Sequence, residues 1–238
     1  MNPNSSSPSA PPLIRLEAVS KTFKLPDGRV FEAVKSVSLD MAEGRIFGLI
    51  GKSGAGKSTL LRMIAGTVSP TSGRVLSDGT ISWPVGFMGS FHGELSGAQN
   101  VRFVARIYGV DSDELVDYVA DFAELGQHYH QPFASYSSGM RSRLAMGTSM
   151  GIHFDTYLVD EVTSVGDADF RVKSQRVFND RMANSGAIVV SHSMPMIRNM
   201  CTMGAVLERG TLEVYEDLEE AIARHEAILR VPPAVAGD

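Results

Sequence analysis

The stretch that most constrains the fold of this chain is an apolar run that leads into a glycine-rich turn and a Lys-Ser-Thr helix start. Residues 46–50 read IFGLI, residues 51–56 read GKSGAG, and Lys57 opens a segment with apolar residues at helical spacing. Residues 51–58 match the pattern G-x-x-x-x-G-K-[ST]. In that pattern glycines let backbone N–H groups turn towards phosphate oxygens, and the helix N-terminus adds its positive dipole end. Because a strand precedes the turn and a helix follows it, a chance match is a poor explanation.

Two side chains of this loop have the chemistry that a nucleotide requires. Lys57 is placed to reach the β- and γ-phosphates, and the Ser58 hydroxyl is placed to ligate Mg²⁺. The predicted nucleotide contacts of the loop are Gly51, Lys52, Ser53, Gly54, Ala55, Gly56, Lys57, Ser58 and Thr59.

Composition excludes several other classes of protein. The 238 residues are 43% hydrophobic and 21% charged, which is ordinary for a globular chain with a buried core. The net charge of −5 gives no global attraction to nucleic acid. The single Cys201 excludes an internal disulfide framework, and no run of about 18 apolar residues indicates a membrane span.

The first part of the chain has the pattern of a tail followed by short strands. Residues 1–12 are Ser/Pro-rich, lack the features of a signal peptide and are expected to be disordered. Folded structure is expected from Leu13, with strands at residues 13–16 and 33–41 on either side of a turn at residues 26–28. A second strand pair is expected around Val75 and Ile81.

Residues 91–150 are predicted to form a helical insert in an otherwise α/β chain. Ser96 and Gln99 have the spacing of a capping box, and apolar residues recur after them at helical intervals. A second helix is expected at residues 112–125, ended by Gly126.

The last part of the chain returns to an α/β pattern. Apolar runs at residues 154–159 and 187–190 are expected to be buried parallel strands. A hairpin is expected around Arg209 and Gly210, followed by an amphipathic helix at residues 217–230 and a tail at residues 231–238. The expected apolar face of that helix consists of Leu218, Ala221, Ile222, Ile228 and Leu229.

Candidate catalytic residues follow the two predicted parallel strands. Asp160 and Glu161 end the first strand, and in P-loop enzymes the carboxylate at such a strand tip assists Mg²⁺, which fits Asp160. Glu161 can polarise the water that attacks the γ-phosphate. A solvated acidic turn would be preferred if the P-loop were absent. His192 follows the second strand, where a neutral imidazole could donate a hydrogen bond to the γ-phosphate.

Small polar residues begin another predicted helix. Ser137, Ser138 and Gly139 could cap that helix or form an anion site at its N-terminus. Arg141 and Arg143 follow, and we expect them to form a solvated helix face, with contact to phosphate or a second copy as the alternative.

The order of these motifs resembles the ABC-transporter ATPase family, over residues 13–216. The shared order is a P-loop, a helical insert, Ser-Ser-Gly-Met at a helix start, a strand ending in Asp-Glu, and a strand followed by Ser-His. The resemblance implies an α/β fold with a P-loop NTPase (RecA-like) core, an antiparallel β subdomain and an inserted helical subdomain. It also implies one ABC ATPase domain over residues 13–230.

The resemblance assigns further roles. Phe23 matches the aromatic residue that stacks on adenine. Ser137 and Gly139 match the signature that clamps the γ-phosphate of the opposite subunit, and Ser138 between them is retained as a candidate nucleotide contact. Asp167 ends a loop that crosses the dimer interface. The resemblance therefore implies that two copies of the chain enclose ATP and Mg²⁺.

Three departures from the family pattern are present. Tyr136, Ser138 and Met140 replace residues of the usual Leu-Ser-Gly-Gly-Gln signature, and Gly166 stands where leucine is common. His92 stands where the family has a glutamine that senses the metal and the membrane subunit. Since imidazole can order a water or a Mg²⁺-bound water, His92 is retained as a candidate for both the catalytic and the metal set.

Residues 81–86, 136–144 and 159–167 are similar to the ATPases of bacterial polysaccharide exporters of the capsule and O-antigen branch. This resemblance implies an ATP-hydrolysing subunit that couples dimerisation to export of a capsular or glycolipid-linked polysaccharide across the inner membrane. The implied partners are a second copy of the chain and a transmembrane permease subunit, with no nucleic acid. The implied location is the cytoplasmic face of the bacterial inner membrane.

Two alternatives remain open from the sequence. A soluble ABC-family ATPase acting on ribosomes or nucleic acid would usually carry a second ATPase domain, a long insertion or a basic extension. A binding-only regulator is disfavoured by Lys57, Asp160, Glu161 and His192. Cys201 is interpreted as a small buried residue. The other histidines, whose spacing does not suit metal ligands, are His128, His130, His153 and His225.

Overall fold

The computed structural model describes residues 13–160 and 167–230, which form two β-sheets and a set of helices. The strands are β1 Ile14–Lys24, β2 Val30–Met41, β3 Ile46–Ile50, β4 Ser72–Ser77, β5 Ile81–Pro84, β6 Thr156–Asp160, β7 Gly186–Val190, β8 Met203–Glu208 and β9 Thr211–Tyr215. The helices are α1 Lys57–Ile64, α2 Gly97–Tyr108, α3 Ser112–Ala123, α4 Ser138–Gly151, α5 Ala168–Ala183, α6 Met194–Met200 and α7 Leu218–Arg230. Two short 3₁₀ helices, Gly126–His130 and Phe133–Ser135, join α3 to α4.

The smaller sheet is antiparallel, with strand order β2-β1-β4. The predicted turn at residues 26–28 joins β1 to β2, and Phe23 lies directly opposite Phe31 in this pair. The prediction of a strand pair around Val75 and Ile81 is wrong. Val75 pairs with β1 in this sheet, whereas Ile81 pairs with β6 in the other sheet.

The larger sheet has strand order β5-β6-β7-β3-β8-β9 and is parallel except for β9. The four residues after Ile46 in β3 and all five residues of β7 are buried, as expected for parallel strands covered on both faces. The predictions of two parallel strands and of the β8–β9 hairpin are confirmed. β3 lies between β7 and β8 and is parallel to both. Because the glycine-rich turn follows β3, it emerges at the carboxyl edge of the parallel strands, where α/β sheets bind ligands.

The helical segment follows β5. Ser96 and Gln99 form the predicted capping box at the start of α2. The predicted end of α3 is wrong, because the helix stops at Ala123 and Glu124 takes the left-handed conformation with φ of 54°. The 3₁₀ turn that begins at Gly126 then continues the chain, so Gly126 is not the residue that ends the helix.

The C-terminal helix α7 packs on the parallel sheet beside β8 and β3. Leu218, Ala221, Ile222 and Ile228 are buried as predicted, but Leu229 is 54% exposed and lies outside the apolar face. His225 takes a buried position on that face instead. Within the described residues, no helix is both long enough and apolar enough to cross a bilayer.

Candidate functional site

The P-loop is held in its shape by the strands on either side of it. Gly56 has φ of +107°, and a Cβ placed there would lie 2.2 Å from the carbonyl oxygen of Ala33 in β2. A Cβ on Gly51 would lie 2.4 Å from the carbonyl oxygen of Leu207 in β8. These two positions therefore require glycine, because the backbone of the neighbouring strands occupies the space of a side chain.

Lys57 begins α1, and its side chain folds back under the loop. Its buried ammonium group donates hydrogen bonds to the carbonyl oxygens of Gly51, at 2.7 Å, and Lys52, at 2.9 Å. The positive charge is therefore held at the N-terminus of α1, where backbone N–H groups already favour an anion.

A cavity of about 700 Å³ opens in front of this loop. It brings together residues that are far apart in the sequence, namely Asp160 at the end of β6 and His192 after β7. The described residues that line it are Phe31, Ala33, Ser53, Gly54, Gly56, Lys57, Ser58, Thr59, Asp160, Val190 and His192. The fold thus places the Asp160 carboxylate and the His192 imidazole in one cavity with the P-loop, and their proposed roles stay predictions.

The donor set of this cavity suits Mg²⁺. Ser58 offers a hydroxyl and Asp160 a carboxylate, and Mg²⁺ prefers such oxygen ligands together with phosphate oxygens and water. His92 does not line this cavity. The third predicted residue of the catalytic set, Glu161, lies outside the described residues.

His92 is placed in the loop before α2. Its Nδ1 atom accepts a hydrogen bond from the backbone N–H of Glu94 at 3.3 Å. A neutral imidazole with an accepting Nδ1 carries its proton on Nε2, so Nε2 is a donor. A donor suits a phosphate oxygen better than a metal ion, which needs a free lone pair.

Two aromatic residues stand opposite each other on the β1–β2 hairpin. Phe23, the predicted adenine contact, is 40% exposed and has the Lys21 ammonium 5.3 Å from its ring centroid. Phe31, its cross-strand partner, lines the 700 Å³ cavity in front of the P-loop, and sequence reasoning missed it. The only sequence signal was its position in the strand that follows the turn.

Residues 137–139, which we name the Ser-Gly segment, lie at a different cavity, of about 530 Å³, which Ser137 and Gly139 line. Ser137 caps α4, since its hydroxyl accepts from the N–H of Met140 at 3.3 Å, and Ser138 is the first residue of the helix. Among the described residues, the lining is Glu124, Leu125, His128, Ser137, Gly139, Met140, Arg143 and Asp167. This lining shares no described residue with that of the P-loop cavity.

Arg143 is not part of a solvated helix face, so that expectation is wrong for this residue. Its side chain is 17% exposed and donates to the Asp167 carboxylate at 2.6 Å, while the guanidinium lies 4.5 Å from the Phe170 ring centroid. Asp167 in turn caps α5 by accepting from the Phe170 N–H at 3.0 Å. Arg143 therefore joins α4 to the residue that follows the 161–166 segment.

His225 lies beside the P-loop, and sequence reasoning missed its position. It lines a cavity of about 600 Å³ that also includes Lys52 and Ser53. Its Nδ1 atom is buried and has no hydrogen-bond partner among the described residues. Burial, and next the nearby charges of Lys57 and Lys52, lower the pKa of His225 below its usual value.

These features define the class of protein. A parallel sheet with a P-loop after a central strand, a carboxylate at the tip of a neighbouring strand and a helical segment with its own Ser-Gly cavity is the arrangement of a P-loop nucleotide-binding ATPase. The chain belongs to the ABC transporter family, which matches residues 34–164. Membership makes ATP the ligand of the P-loop and ATP hydrolysis the expected activity.

Similar proteins cover most of the chain. It is 42% identical over 213 residues to the polysialic acid transport ATP-binding protein KpsT of Escherichia coli, covering 88% of this chain and 95% of that protein. It is 40% identical to the capsule polysaccharide export ATP-binding protein CtrD of Neisseria meningitidis serogroup B, covering 88% and 96%. A dimeric ATP-binding cassette bound to ADP and phosphate has the same fold, with a TM-score of 0.70 and 23% identity, covering 86% and 98%.

Proposed function

We propose that this chain is the ATP-hydrolysing subunit of an exporter that moves a capsular or related glycolipid-linked polysaccharide across the bacterial inner membrane. The observation that carries this proposal is the match, over 88% of the chain, to two relatives whose names describe transport of such polymers.

The active unit proposed is a dimer of two copies. In one chain the Ser-Gly segment and the P-loop line separate cavities. A γ-phosphate held by the P-loop would therefore meet Ser137 and Gly139 only if they came from a second copy. The dimeric ATP-binding cassette bound to ADP and phosphate, which has the same fold, supports this assembly.

Each residue of the proposed site has one task. Lys57 and the loop amides bind the phosphates, and Ser58 and Asp160 would hold Mg²⁺, which neutralises charge on the β- and γ-phosphates when bound. Glu161 accepts a proton from the attacking water as oxygen bonds to the γ-phosphorus. The bond to the bridging oxygen breaks, ADP leaves, and His192 donates a hydrogen bond to the γ-phosphate. Asp167 would contact the second copy at the interface.

The permease is proposed to dock beside residues 92–100, on the cytoplasmic face of the inner membrane. Exposed apolar side chains are found on both sides of this segment, Phe87 and Met88 before it and Phe103 and Ile107 on α2 after it. Exposed large apolar side chains are typical of a protein contact where they form one surface.

The test is deletion of the gene in the source organism, followed by complementation. We expect loss of polysaccharide from the cell surface, accumulation inside the cell, and rescue by the wild-type gene but not by a Lys57→Ala variant. Normal surface polysaccharide after deletion would contradict the proposal. Stimulation of the purified ATPase by RNA or DNA at moderate salt would favour the alternative of an ATPase acting on ribosomes or nucleic acid.

A further inference from the structure

The loop that contains His92 is held by one buried amide side chain. Asn100 in α2 is completely buried, with 0% of its surface exposed. Its Oδ1 atom accepts from the His92 N–H at 2.7 Å, and its Nδ2 group donates to the carbonyl oxygens of His92, Leu95 and Ser96 at 3.0, 3.2 and 3.0 Å. Every one of these partners lies within residues 92–96, which we name the His92 loop.

The same loop is hydrogen-bonded on its other side to the segment that leads into Ser137. The N–H of Phe133 donates to the Leu95 oxygen at 2.8 Å, and the N–H of Ala134 donates to the Gly93 oxygen at 2.8 Å. The chain then reaches Ser137 three residues after Ala134. The His92 loop therefore connects α2 to the start of the Ser-Gly segment.

The outer face of α2 is the surface proposed for the permease. Phe103 and Ile107 are 50% and 58% exposed and lie one and two helical turns beyond Asn100. A displacement of α2 by a partner would move Asn100, because both residues and Asn100 belong to the same rigid helix.

We propose that Asn100 is a positioning residue that transmits movement of α2 to His92 and, through the hydrogen bonds of Phe133 and Ala134, to Ser137, which is proposed to contact the γ-phosphate held by a second copy. This inference rests on the proposed function for the identity of the partner. The hydrogen bonds give it a physical basis that does not depend on transport, since a buried amide fixes the loop only while its donors are satisfied.

The test replaces Asn100 with aspartate in the full chain. Aspartate keeps the shape and the acceptor for the His92 N–H, but it turns an oxygen towards three carbonyl oxygens in place of a donor. The control is Thr148→Val, which removes one hydrogen bond of a completely buried polar residue, to Leu144 in the same helix α4. If Asn100→Asp does not fold, Asn100→Ala removes the same hydrogen bonds without repulsion.

Two measurements distinguish positioning from general destabilisation. Hydrogen exchange should rise at least tenfold in peptides covering residues 92–96 and 132–136 of Asn100→Asp, and stay unchanged in residues 186–190. ATPase kcat should fall at least tenfold while KM for ATP stays within twofold. Unchanged exchange in the first two peptides, or kcat no lower than in Thr148→Val, would overturn the proposal. Failure of the exporter function alone would leave the exchange result intact.

Discussion

At the scale of single residues, Gly56 fixes the geometry of the phosphate-binding loop. Its φ is +107°, and a Cβ would lie 2.2 Å from the Ala33 oxygen, so Gly56→Ala must displace either the loop or β2. We expect Gly56→Ala to lose measurable ATP binding and to lower the free energy of unfolding by about 2 kcal/mol or more. Urea unfolding and titration with a fluorescent ATP analogue measure these two effects.

Gly54→Ala is the matched control for this loop. Gly54 also has a positive φ, of +77°, but nothing lies within 4 Å of a Cβ placed there. Its substitution should therefore cost only the left-handed backbone strain, about 1 kcal/mol. Equal effects of the two substitutions would contradict a role for the Ala33 contact.

His225 gives the stability of the protein a dependence on pH. Burial, and then the charges of Lys57 and Lys52, lower its pKa in the folded state, whereas Glu226 acts in the opposite direction and His192 adds a smaller lowering. A histidine in the unfolded chain has a pKa of about 6.5, so the unfolded state binds the proton more readily than the folded state does. The free energy of unfolding should fall as the pH drops from above 6.5 to below it.

The His225→Leu variant isolates this contribution. His153, whose pKa is also lowered by burial and by Arg181, remains in the variant and keeps its own contribution. We expect urea unfolding measured between about pH 5 and pH 8 to show a smaller loss of stability at low pH in His225→Leu than in the wild type. Identical slopes would mean that His225 does not titrate differently in the folded and unfolded states.

At the scale of helices and strands, Arg143 connects three elements. It pairs with Asp167 at the start of α5, stacks on Phe170, and donates to the Ala123 oxygen at the end of α3 at 3.5 Å. Its side chain is mostly buried, so Arg143→Met loses hydrogen bonds to a charged partner. We expect a loss of about 1–2 kcal/mol in the free energy of unfolding, measured in urea.

The control is an ion pair that joins strands at the surface. Arg15 and Asp40 pair at 2.9 Å with side chains 43% and 58% exposed, so Arg15→Met should cost less than about 1 kcal/mol. If Arg143→Met were no more costly than Arg15→Met, the contacts of Arg143 would contribute little to holding α4 and α5 together.

The sequence could predict those elements whose signals are local. A P-loop needs glycine where strands crowd it, a buried parallel strand is apolar throughout, and Ser96 with Gln99 caps a helix by direct hydrogen bonds. It could not predict that Ile81 joins β6, because strand pairing depends on contacts distant in sequence. Nor could it predict the end of α3, where Glu124 rather than glycine takes the left-handed conformation.

The same limit applies to the site. The positions of Asp160 and His192 were predictable because Asp160 ends one apolar strand and His192 follows another, and both strands end at the same edge of the sheet. Phe31 and His225 were not, since their place near the P-loop results from how β2 and α7 pack against it. Arg143 looked solvated because its helical position alone does not reveal Asp167 and Phe170.

At the scale of the whole molecule, the separation of the two cavities determines how ATP is proposed to be hydrolysed. The P-loop of one copy and the Ser-Gly segment of another should meet across a shared nucleotide. Cysteines at positions 53 and 137 test this directly, because the chain contains one native cysteine. Cys201 is buried, and burial raises the pKa of its thiol to about 12, so it should not compete.

We expect Ser53→Cys chains mixed with Ser137→Cys chains to form disulfide-linked dimers when Mg²⁺ and ATP are present in a Glu161→Gln background. That substitution removes the proposed proton acceptor, so bound ATP should keep the dimer closed. Without nucleotide the crosslink should be at least tenfold less abundant on a non-reducing gel. Ser77→Cys, at the exposed end of β4, replaces Ser137→Cys in the control mixture and should not crosslink. Absence of the Ser53–Ser137 crosslink under trapped ATP would contradict the shared site, because the Ser-Gly segment would then have no phosphate to bind.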